Sequence, residues 1–330
     1  MAIDFSKLTK ILIIRLSSIG DILLTTPLIR SIKKKNPEVQ IDFVLKEELF
    51  ELMQDNPYLT NIYKYKKIKS EKQELINSLI INDYELVIDL QNNLRSREII
   101  SQLHCKILRF KKNNFKKFLL VHFKINKLKD APQIPVRYAE AAGVQLDSEG
   151  LDFFTTNEPG PKLKAGEKYI GLCPGSKHFT KRWPKEYFIE LGKRLESTGY
   201  KIVLFGGLEE VDLCFEMEKQ IKNSINLCNT RISQVASDMK MCRAIYSNDS
   251  GLMHLASAVK VPVIAFFGST VKEFGFYPYN AKSIQLEIEN LSCRPCTHIG
   301  RKSCPKIHFK CMKELKPELA FNSLQNIMAS

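Results

Sequence analysis

One segment of the chain combines residue types suited to binding phosphate. Residues 247–258 read Ser-Asn-Asp-Ser-Gly-Leu-Met-His-Leu-Ala-Ser-Ala, and a buried-strand pattern over Val261–Phe267 follows. Ser, Asn and Asp favour helix N-termini, where free N–H groups and the positive end of the helix dipole attract anions. Asp249, Ser250 and Gly251 are therefore candidate phosphate ligands, with His254 one turn further on. The same residues also fit an ordinary capped helix with His254 in the core.

A basic loop over residues 173–184 offers further partners for an anion. It follows the predicted strand Tyr169–Cys173, and its hydroxyl and cationic side chains are Ser176, Lys177, Thr180, Lys181 and Arg182. A lysine in such a loop can offset charge that grows on a leaving phosphate. The alternative is a basic surface loop in which Trp183 anchors the packing.

Two carboxylates also follow predicted strands. Asp21 ends the loop Arg15-Leu-Ser-Ser-Ile-Gly-Asp, and Glu210 ends Phe205-Gly-Gly-Leu-Glu-Glu. Asp21 is a candidate general base for a substrate hydroxyl, and Glu210 is a candidate acceptor for sugar hydroxyls. Either side chain equally suits stabilisation of a helix N-terminus.

Two common nucleotide-binding fingerprints and one metal-binding motif are missing from the sequence. It contains no Gly-x-Gly-x-x-Gly, no Gly-x-x-x-x-Gly-Lys-Ser/Thr and no Asp-x-Asp triplet. The first two absences disfavour dinucleotide dehydrogenases and P-loop NTPases. The missing Asp-x-Asp disfavours glycosyltransferases in which a divalent ion held by that motif clamps a nucleotide diphosphate. A sugar diphosphate would instead be held by lysines, hydroxyls and helix N-termini, with no metal or other cofactor required.

A cysteine-rich tail leaves metal binding open. Cys293, Cys296, Cys304 and Cys311 lie within 19 residues, with His298 and His308 nearby. This density suggests zinc, although the second pair lacks the spacing of a zinc ribbon. Reduced structural thiols are the other interpretation.

The elements that must position these residues alternate between short strands and helices. The predicted strands of the first half are Ile11–Leu16, Ile41–Leu45, Asn61–Tyr65, Glu85–Leu90 and Lys106–Phe110, with helices such as Asp21–Lys35 and Glu71–Ile81 between them. After a Pro- and Gly-rich break near residues 157–166, the pattern restarts with helices over Pro184–Ser197 and Leu208–Lys222, and strands over Tyr200–Phe205 and Val261–Phe267. We therefore expect an α/β protein with two Rossmann-like domains, residues 1–160 and 161–330, facing a central cleft.

The composition fits such a protein and adds a strong positive charge. The 330 residues carry a formal net charge of +14, with 44% hydrophobic residues. Residues 99–129 and 290–313 contain bases but no acid, and aromatics are interleaved in the first stretch. These patches favour polyanions such as nucleic acid, anionic lipid or phosphorylated sugars, or they are merely solvated surface. With no signal-peptide pattern and no long apolar run, a cytoplasmic protein is expected.

Together these motifs resemble the bacterial lipopolysaccharide heptosyltransferases of glycosyltransferase family 9, and lean towards the second-heptose type. The resemblance runs in order along nearly the whole chain: Ser17-Ser-Ile-Gly-Asp21 with Pro27, Val87-Ile-Asp-Leu-Gln91 to Arg95-Ser96, Pro174-Gly175 with Lys181-Arg-Trp-Pro184, Asn248-Asp-Ser-Gly251 with His254, and Cys293-x-x-Cys296. Asn92 departs from the pattern, because family members often carry glycine there.

The resemblance implies a GT-B fold, inverting transfer of heptose and a role for each matched residue. Asp21 matches the catalytic base, and the donor ADP-L-glycero-D-manno-heptose is held in the C-terminal domain by Ser176, Thr180, Lys181, Glu210, Asp249, Ser250, Gly251 and His254. The acceptor side of the N-terminal domain comprises Ser18, Gly20, Asn93, Arg95 and Ser96. The last helix, from Pro317, is expected to cross back to the N-terminal domain.

The implied partners are the ADP-sugar and an anionic acceptor, the Kdo–lipid A inner core with or without its first heptose. The protein would then visit the cytoplasmic face of the inner membrane as a peripheral protein. Two alternatives stay open: a family member using another sugar or acceptor, and a nucleic-acid-binding protein using residues 99–129. The second explains the charge but not the phosphate loops, so no nucleic-acid partner is expected.

Overall fold

The computed structural model describes residues 3–329 and divides into two compact units. The first unit contains the described residues up to Lys112 together with Ile134–Thr156, and the second contains Asn113–Gln133 and the residues from Asn157 onward. Each unit is built around one parallel β-sheet.

The first sheet has five strands in the order β3-β2-β1-β4-β5. In chain order its elements are β1 (Lys10–Ile14), α1 (Ile19–Leu23), α2 (Thr26–Lys35), β2 (Gln40–Lys46), β3 (Asn61–Tyr65), α3 (Lys69–Ile81), β4 (Leu86–Asp89), α4 (Leu94–Ile100) and β5 (Lys106–Arg109). All its strands pair in parallel. The apolar runs of β1 and β4 are buried on both faces, as expected for central parallel strands.

Two helices follow before the second sheet begins, and they belong to different units. Helix α5 (Asn114–Phe123) packs in the second unit, whereas α6 (Ile134–Ala142) packs in the first. Leu120, Val121 and Leu128 form a small core with Phe274, which explains why residues 113–133 group with the second unit. The predicted boundary at residue 160 instead placed this segment in the N-terminal domain.

The second sheet has six strands in the order β11-β10-β9-β6-β7-β8. Its elements are β6 (Tyr169–Cys173), α7 (Lys185–Ser197), β7 (Lys201–Leu204), α8 (Val211–Glu218), β8 (Ser224–Asn226), α9 (Ile232–Met239), β9 (Cys242–Asn248), α10 (Gly251–Ala258), β10 (Val263–Phe267), β11 (Ser283–Glu287), α11 (Lys310–Lys313) and α12 (Pro317–Ala329). These strands also pair in parallel.

The predicted elements agree with this architecture and shift mainly at their ends. The expected helix Asp21–Lys35 is two helices, because Pro27 lies in the first turn of α2 and cannot continue α1. The final helix α12 packs against α7, β10 and β11 of the second unit. This packing differs from the predicted return of that helix to the first domain. No helix among residues 3–329 is long and apolar enough to span a bilayer.

Candidate active site

Asp21 lies directly beyond the carboxyl end of the central strand β1. Arg15 Nη2 lies 2.6 Å from Asp21 Oδ1, and the Ser18 hydroxyl donates to Asp21 Oδ2 over 2.8 Å. The Ser18 N–H also donates to Oδ2, so Asp21 stabilises the start of α1 as the simpler interpretation expected. Its carboxylate nevertheless keeps about a fifth of its side-chain surface exposed (20%), which leaves it accessible to a substrate.

The environment keeps this carboxylate ionised. Burial alone would raise the pKa of Asp21, but the charge of Arg15 and the hydrogen bonds from Ser18 outweigh it, and the pKa lies below its ordinary value. Arg15 is itself fixed, since its Nη1 donates to the Leu90 carbonyl over 2.7 Å and its guanidinium lies over the Tyr138 ring. Burial lowers the pKa of the Lys112 amino group, and the nearby charge of Arg15 lowers it further. A sugar hydroxyl near Asp21 would meet a charged base with cations around it.

The loop after β4 supports the loop after β1. Gln91 Oε1 accepts hydrogen bonds from the N–H groups of Leu16 (2.9 Å) and Ser17 (3.3 Å). Arg15 and Gln91 are not among the residues predicted for the site, although both follow buried strands closely. Their partners become visible only once β1 and β4 are known to be neighbours.

The predicted acceptor residues divide into exposed and internal groups. Ser18 and Arg95 are exposed, Asn93 is half-buried and Gly20 is buried. The Ser96 hydroxyl is buried and donates to Asp89 Oδ2 over 3.0 Å, and Asn93 caps α4 through the Ser96 N–H. Ser96 therefore holds the loop in shape instead of presenting its hydroxyl to a ligand.

The backbone conformation at position 92 explains why asparagine can take the place of glycine there. Its φ of 39° lies in the left-handed region, which glycine and asparagine adopt more readily than other residues. Its N–H donates to Asp89 Oδ1 over 2.7 Å, and its side chain donates to the Phe110 carbonyl. Asparagine thus keeps the backbone turn that a glycine permits.

Three neighbouring strands of the second sheet end in the predicted donor residues. Because β9, β6 and β7 are adjacent, the loops bearing Asp249, Lys181 and Glu210 meet at one edge of this sheet. Asn248 ties two of these loops together, since its side chain donates to the Pro174 carbonyl and accepts from the Trp183 N–H. The segment that first suggested phosphate binding therefore lies beside the basic loop.

A buried ion pair forms the centre of this edge. Lys181 Nζ lies 2.7 Å from Asp249 Oδ2, and the Thr270 hydroxyl donates to the same oxygen over 2.7 Å. Both side chains are largely shielded from water, with exposures of 16% for Lys181 and 6% for Asp249. Ser250 occupies the N-cap position of α10 and Gly251 begins this helix, so its dipole and Lys181 favour an anion at the same place.

The surrounding loop adds positive charge. Burial and the nearby charges of Lys181, Lys177 and Arg182 lower the pKa of His178. Arg182 is held by its Nε donating to the Ser176 carbonyl over 2.6 Å. Such a field suits a diphosphate.

Glu210 lies against the backbone of this loop. A Cβ on Gly175 would come within 2.5 Å of the Glu210 side chain, so a larger residue here would displace that side chain from its present position. Glu210 Oε2 accepts the Gly207 N–H over 2.9 Å, which is the capping role that its spacing allowed. Oε1 faces the Gly175 backbone, so Glu210 lies where it can accept hydroxyl hydrogen bonds from a sugar in the same place.

The remaining predicted donor residues have structural partners. The Thr180 hydroxyl accepts the Arg301 N–H over 2.9 Å and is buried. Ser176 is buried with its hydroxyl 3.4 Å from the Asp249 carbonyl, and His254 is buried within α10. Trp183 is the packing anchor of the alternative interpretation, stacked on Phe266 at 4.2 Å.

The four cysteines of the tail are free thiols near one another. Cys293, Cys296 and Cys304 are half-buried, Cys311 is buried, and all four line one small cavity with His308. Cys293 Sγ lies 4.0 Å from His308 Nε2. Within residues 3–329, no three His, Cys, Asp or Glu side chains are arranged to hold a metal ion. This arrangement lends no support to zinc binding, and reduced thiols stay the prediction that elemental analysis would test.

Comparison with known proteins decides the family. The model of glycosyltransferase family 9 (heptosyltransferase) matches residues 73–307. The chain belongs to this family. It is 36% identical to lipooligosaccharide heptosyltransferase 2 of Campylobacter jejuni over 173 residues, which cover 50% of this chain and 53% of that protein. The alignment thus spans about half the length of that relative.

Solved structures of the family share the fold along the whole chain. A family 9 glycosyltransferase from Veillonella parvula superposes with a TM-score of 0.81 at 22% identity, covering 100% of this chain and 99% of that one. The ADP-heptose lipopolysaccharide heptosyltransferase II of Escherichia coli gives 0.74 at 22% identity, covering 97% and 99%. The expected GT-B architecture of two Rossmann-like domains is confirmed.

Proposed function

We propose that this family 9 chain is an inverting heptosyltransferase. It transfers L-glycero-D-manno-heptose from ADP-heptose to the inner core of lipopolysaccharide. The observation that carries the proposal is the family match over residues 73–307, in a chain that has an ionised carboxylate after β1 and a lysine beside the N-terminus of α10. The name of the Campylobacter relative favours addition of the second heptose, onto an acceptor that already bears one.

The proposed reaction uses one group from each unit. Asp21 accepts the proton of the acceptor hydroxyl as its oxygen attacks the anomeric carbon of the donor from the face opposite ADP. The bond from that carbon to the diphosphate oxygen breaks, and both bonding electrons leave with ADP. Lys181 and the N-terminus of α10 stabilise the negative charge that grows on the diphosphate.

The chemistry is proposed to need no metal or cofactor. In place of an Asp-x-Asp motif, the second sheet offers Lys181 and the basic loop around His178. Glu210, close to Gly175, would accept hydrogen bonds from donor hydroxyls.

The acceptor suits the charge of the chain. The inner core carries carboxylates and phosphates on a lipid, and the net charge of +14 favours such a polyanion. We place the reaction at the cytoplasmic face of the inner membrane, which the enzyme visits without spanning it. Family membership favours this enzyme over the nucleic-acid-binding alternative.

The test is a mass-spectrometric assay with ADP-heptose and two acceptors, Kdo2–lipid A and its monoheptosylated form. The expected result is one added heptose on the monoheptosylated acceptor together with ADP release. A panel of other ADP- and UDP-sugars addresses the alternative of a different donor. Transfer from another sugar, with none from ADP-heptose to either acceptor, would refute the proposal.

A further inference from the structure

Helix α5 presents aromatic side chains to solvent. Phe115 is 72% exposed, Phe118 48% and Phe123 61%. Phe115, Phe118 and His122 are spaced three and four residues apart, so they share one face of the helix. The Phe118 ring lies 4.5 Å from His122 and 5.9 Å from Phe123. We call Phe115, Phe118 and Phe123 the aromatic face.

The aromatic face is exposed although its helix is packed firmly on the second unit. The opposite side of α5 buries Leu120 and Val121 against Phe274. After the helix ends, Lys124 Nζ donates to the carbonyls of Pro295 (2.6 Å) and Cys293 (3.4 Å), and Asn126 donates to Glu273. The helix is thus fixed on the second unit with its apolar rings pointing outward.

Lysines are frequent in the segment that bears the aromatic face. Besides Lys124, which is bonded within the second unit, residues 113–129 contain Lys116, Lys117, Lys127 and Lys129 but no acid. The neighbouring loop is also basic. Burial lowers the pKa of His298 in this loop, and the nearby charges of Lys117 and His122 lower it further. That loop exposes Ile299 (56%) and bears Arg301 and Lys302.

We propose that the aromatic face inserts into the interfacial region of an anionic bilayer, with the lysines of its segment on the lipid headgroups. Apolar rings on one side of a helix with lysines beside them form the pattern of an interfacial helix, and an anionic leaflet attracts such lysines. Aromatic rings also stack on nucleic-acid bases, but the exposed aliphatic side chains Ile125 and Ile299 suit lipid and offer no stacking surface. The purpose of the contact rests on the proposed function, since it would hold the donor-binding unit at the surface that carries the acceptor.

Vesicle binding tests the inference without any assay of catalysis. Full-length protein is sedimented with phosphatidylglycerol–phosphatidylethanolamine vesicles and with phosphatidylcholine vesicles. The double variant Phe115→Ser/Phe118→Ser should bind the anionic vesicles about tenfold more weakly, because each ring loses its buried apolar area. The matched control is Phe215→Ser, which removes a 51% exposed ring beside Lys219 on α8 and should leave binding unchanged.

A fluorescence measurement shows whether the helix itself enters the bilayer. The chain has one tryptophan, Trp183, which is buried. The variant Phe118→Trp adds a reporter on the aromatic face, and its emission should shift to the blue and be quenched by brominated lipid. Emission from the parent protein should be little affected. An unquenched reporter on vesicles that retain the protein would overturn the inference.

Further measurements separate this inference from its alternatives. Wild-type binding to RNA that the double variant loses, with equal binding of both proteins to anionic vesicles, would identify nucleic acid as the partner. Transfer onto acceptor embedded in vesicles should fall about tenfold in the double variant, while transfer onto a deacylated, water-soluble acceptor is unchanged. Equal activity of wild type and double variant on the embedded acceptor would refute the role of the aromatic face and leave the proposed function intact. Inactivity of both proteins on both acceptors would refute the proposed function, and vesicle binding would then decide the inference by itself.

Discussion

Replacement of Lys181 by methionine should destabilise the second unit more than replacement of its partner Asp249 by asparagine. Without Lys181, the Asp249 carboxylate keeps the Thr270 hydroxyl but loses the only cation that pairs with it among the ion pairs of residues 3–329. Removing one member of a buried pair costs about 3–5 kcal/mol, and the 16% exposure of Lys181 places this case near the lower end of that range. Asp249→Asn retains a side chain that bonds to Thr270, and the freed lysine can reach water, so about 1–2 kcal/mol is expected.

A double-mutant cycle measures the interaction directly. The variant Lys181→Met/Asp249→Asn should be less destabilised than the sum of the single variants, with a coupling of about 2 kcal/mol. Urea unfolding followed by Trp183 fluorescence is a suitable assay, because Trp183 lies in the same loop and donates its N–H to Asn248. Lys177→Met, at an exposed position of that loop, is the control and should stay within about 0.5 kcal/mol of the parent.

The same variants separate stability from ligand binding. If Lys181 holds the donor diphosphate, the double variant regains stability but still binds ADP at least about tenfold more weakly. A coupling below about 0.5 kcal/mol would show that the pair is not an interacting unit. Normal ADP affinity in the double variant would remove Lys181 from the donor site.

Further predictions concern the first unit and the tail. Asp21→Asn should lower transfer by about 10²–10⁴-fold in a protein that folds but is less stable, because the buried Arg15 loses its ion-pair partner. Asp83→Asn, at the opposite edge of the first sheet, should leave transfer unchanged, and normal turnover of Asp21→Asn would exclude it as the base. Arg15→Met removes the charge that outweighs the effect of burial on Asp21, so the pKa of Asp21 should rise. The acidic limb of the pH–rate profile should then move to higher pH, and Arg15→Lys should return the limb to its position in the parent. Because the pKa of Asp21 is lower in the folded state, its contribution to the free energy of unfolding is complete above the ordinary pKa of about 3.9 and is lost as pH falls through the folded-state pKa. Acid titration of the unfolding free energy should show this loss in the parent but not in Arg15→Met. Urea unfolding should show that Asn92→Ala destabilises the chain by about 1 kcal/mol or more and Asn92→Gly by less, because the φ of 39° strains alanine. Elemental analysis of the purified protein is expected to find less than one zinc per chain. Stoichiometric zinc would show that the tail cysteines rearrange around a metal.

Much of the fold could be predicted from local sequence. The apolar runs of β1, β4, β7 and β10 predicted buried parallel strands to within one or two residues at most ends. The glycine and small residues that follow β1, β6 and β7 indicated loops able to approach a ligand closely. Asp21, Lys181 and Asp249 were therefore identified because each follows a strand, and the carboxyl ends of parallel strands share one edge of a sheet.

Some features departed from the local pattern for identifiable reasons. Residues 113–133 read as part of the first half, but their apolar side chains bury against Phe274 of the second unit. Thr180 and Ser96 have the right chemistry to bind a ligand, yet each hydroxyl is engaged by a loop partner. A residue type shows what a side chain can do, while its neighbours decide whether it is available.

The sequence by itself determined the strands, the loops that follow them and the family resemblance, because these depend on short-range patterns and on motifs kept in order. Tertiary structure alone decided which charges meet. Arg15 pairs with Asp21 across a turn, Gln91 supports that turn from β4, and Lys181 reaches Asp249 across 68 positions of the chain. The ionisation of Asp21 and the burial of the Lys181 pair follow from these contacts, since both depend on distance in space and on exclusion of water.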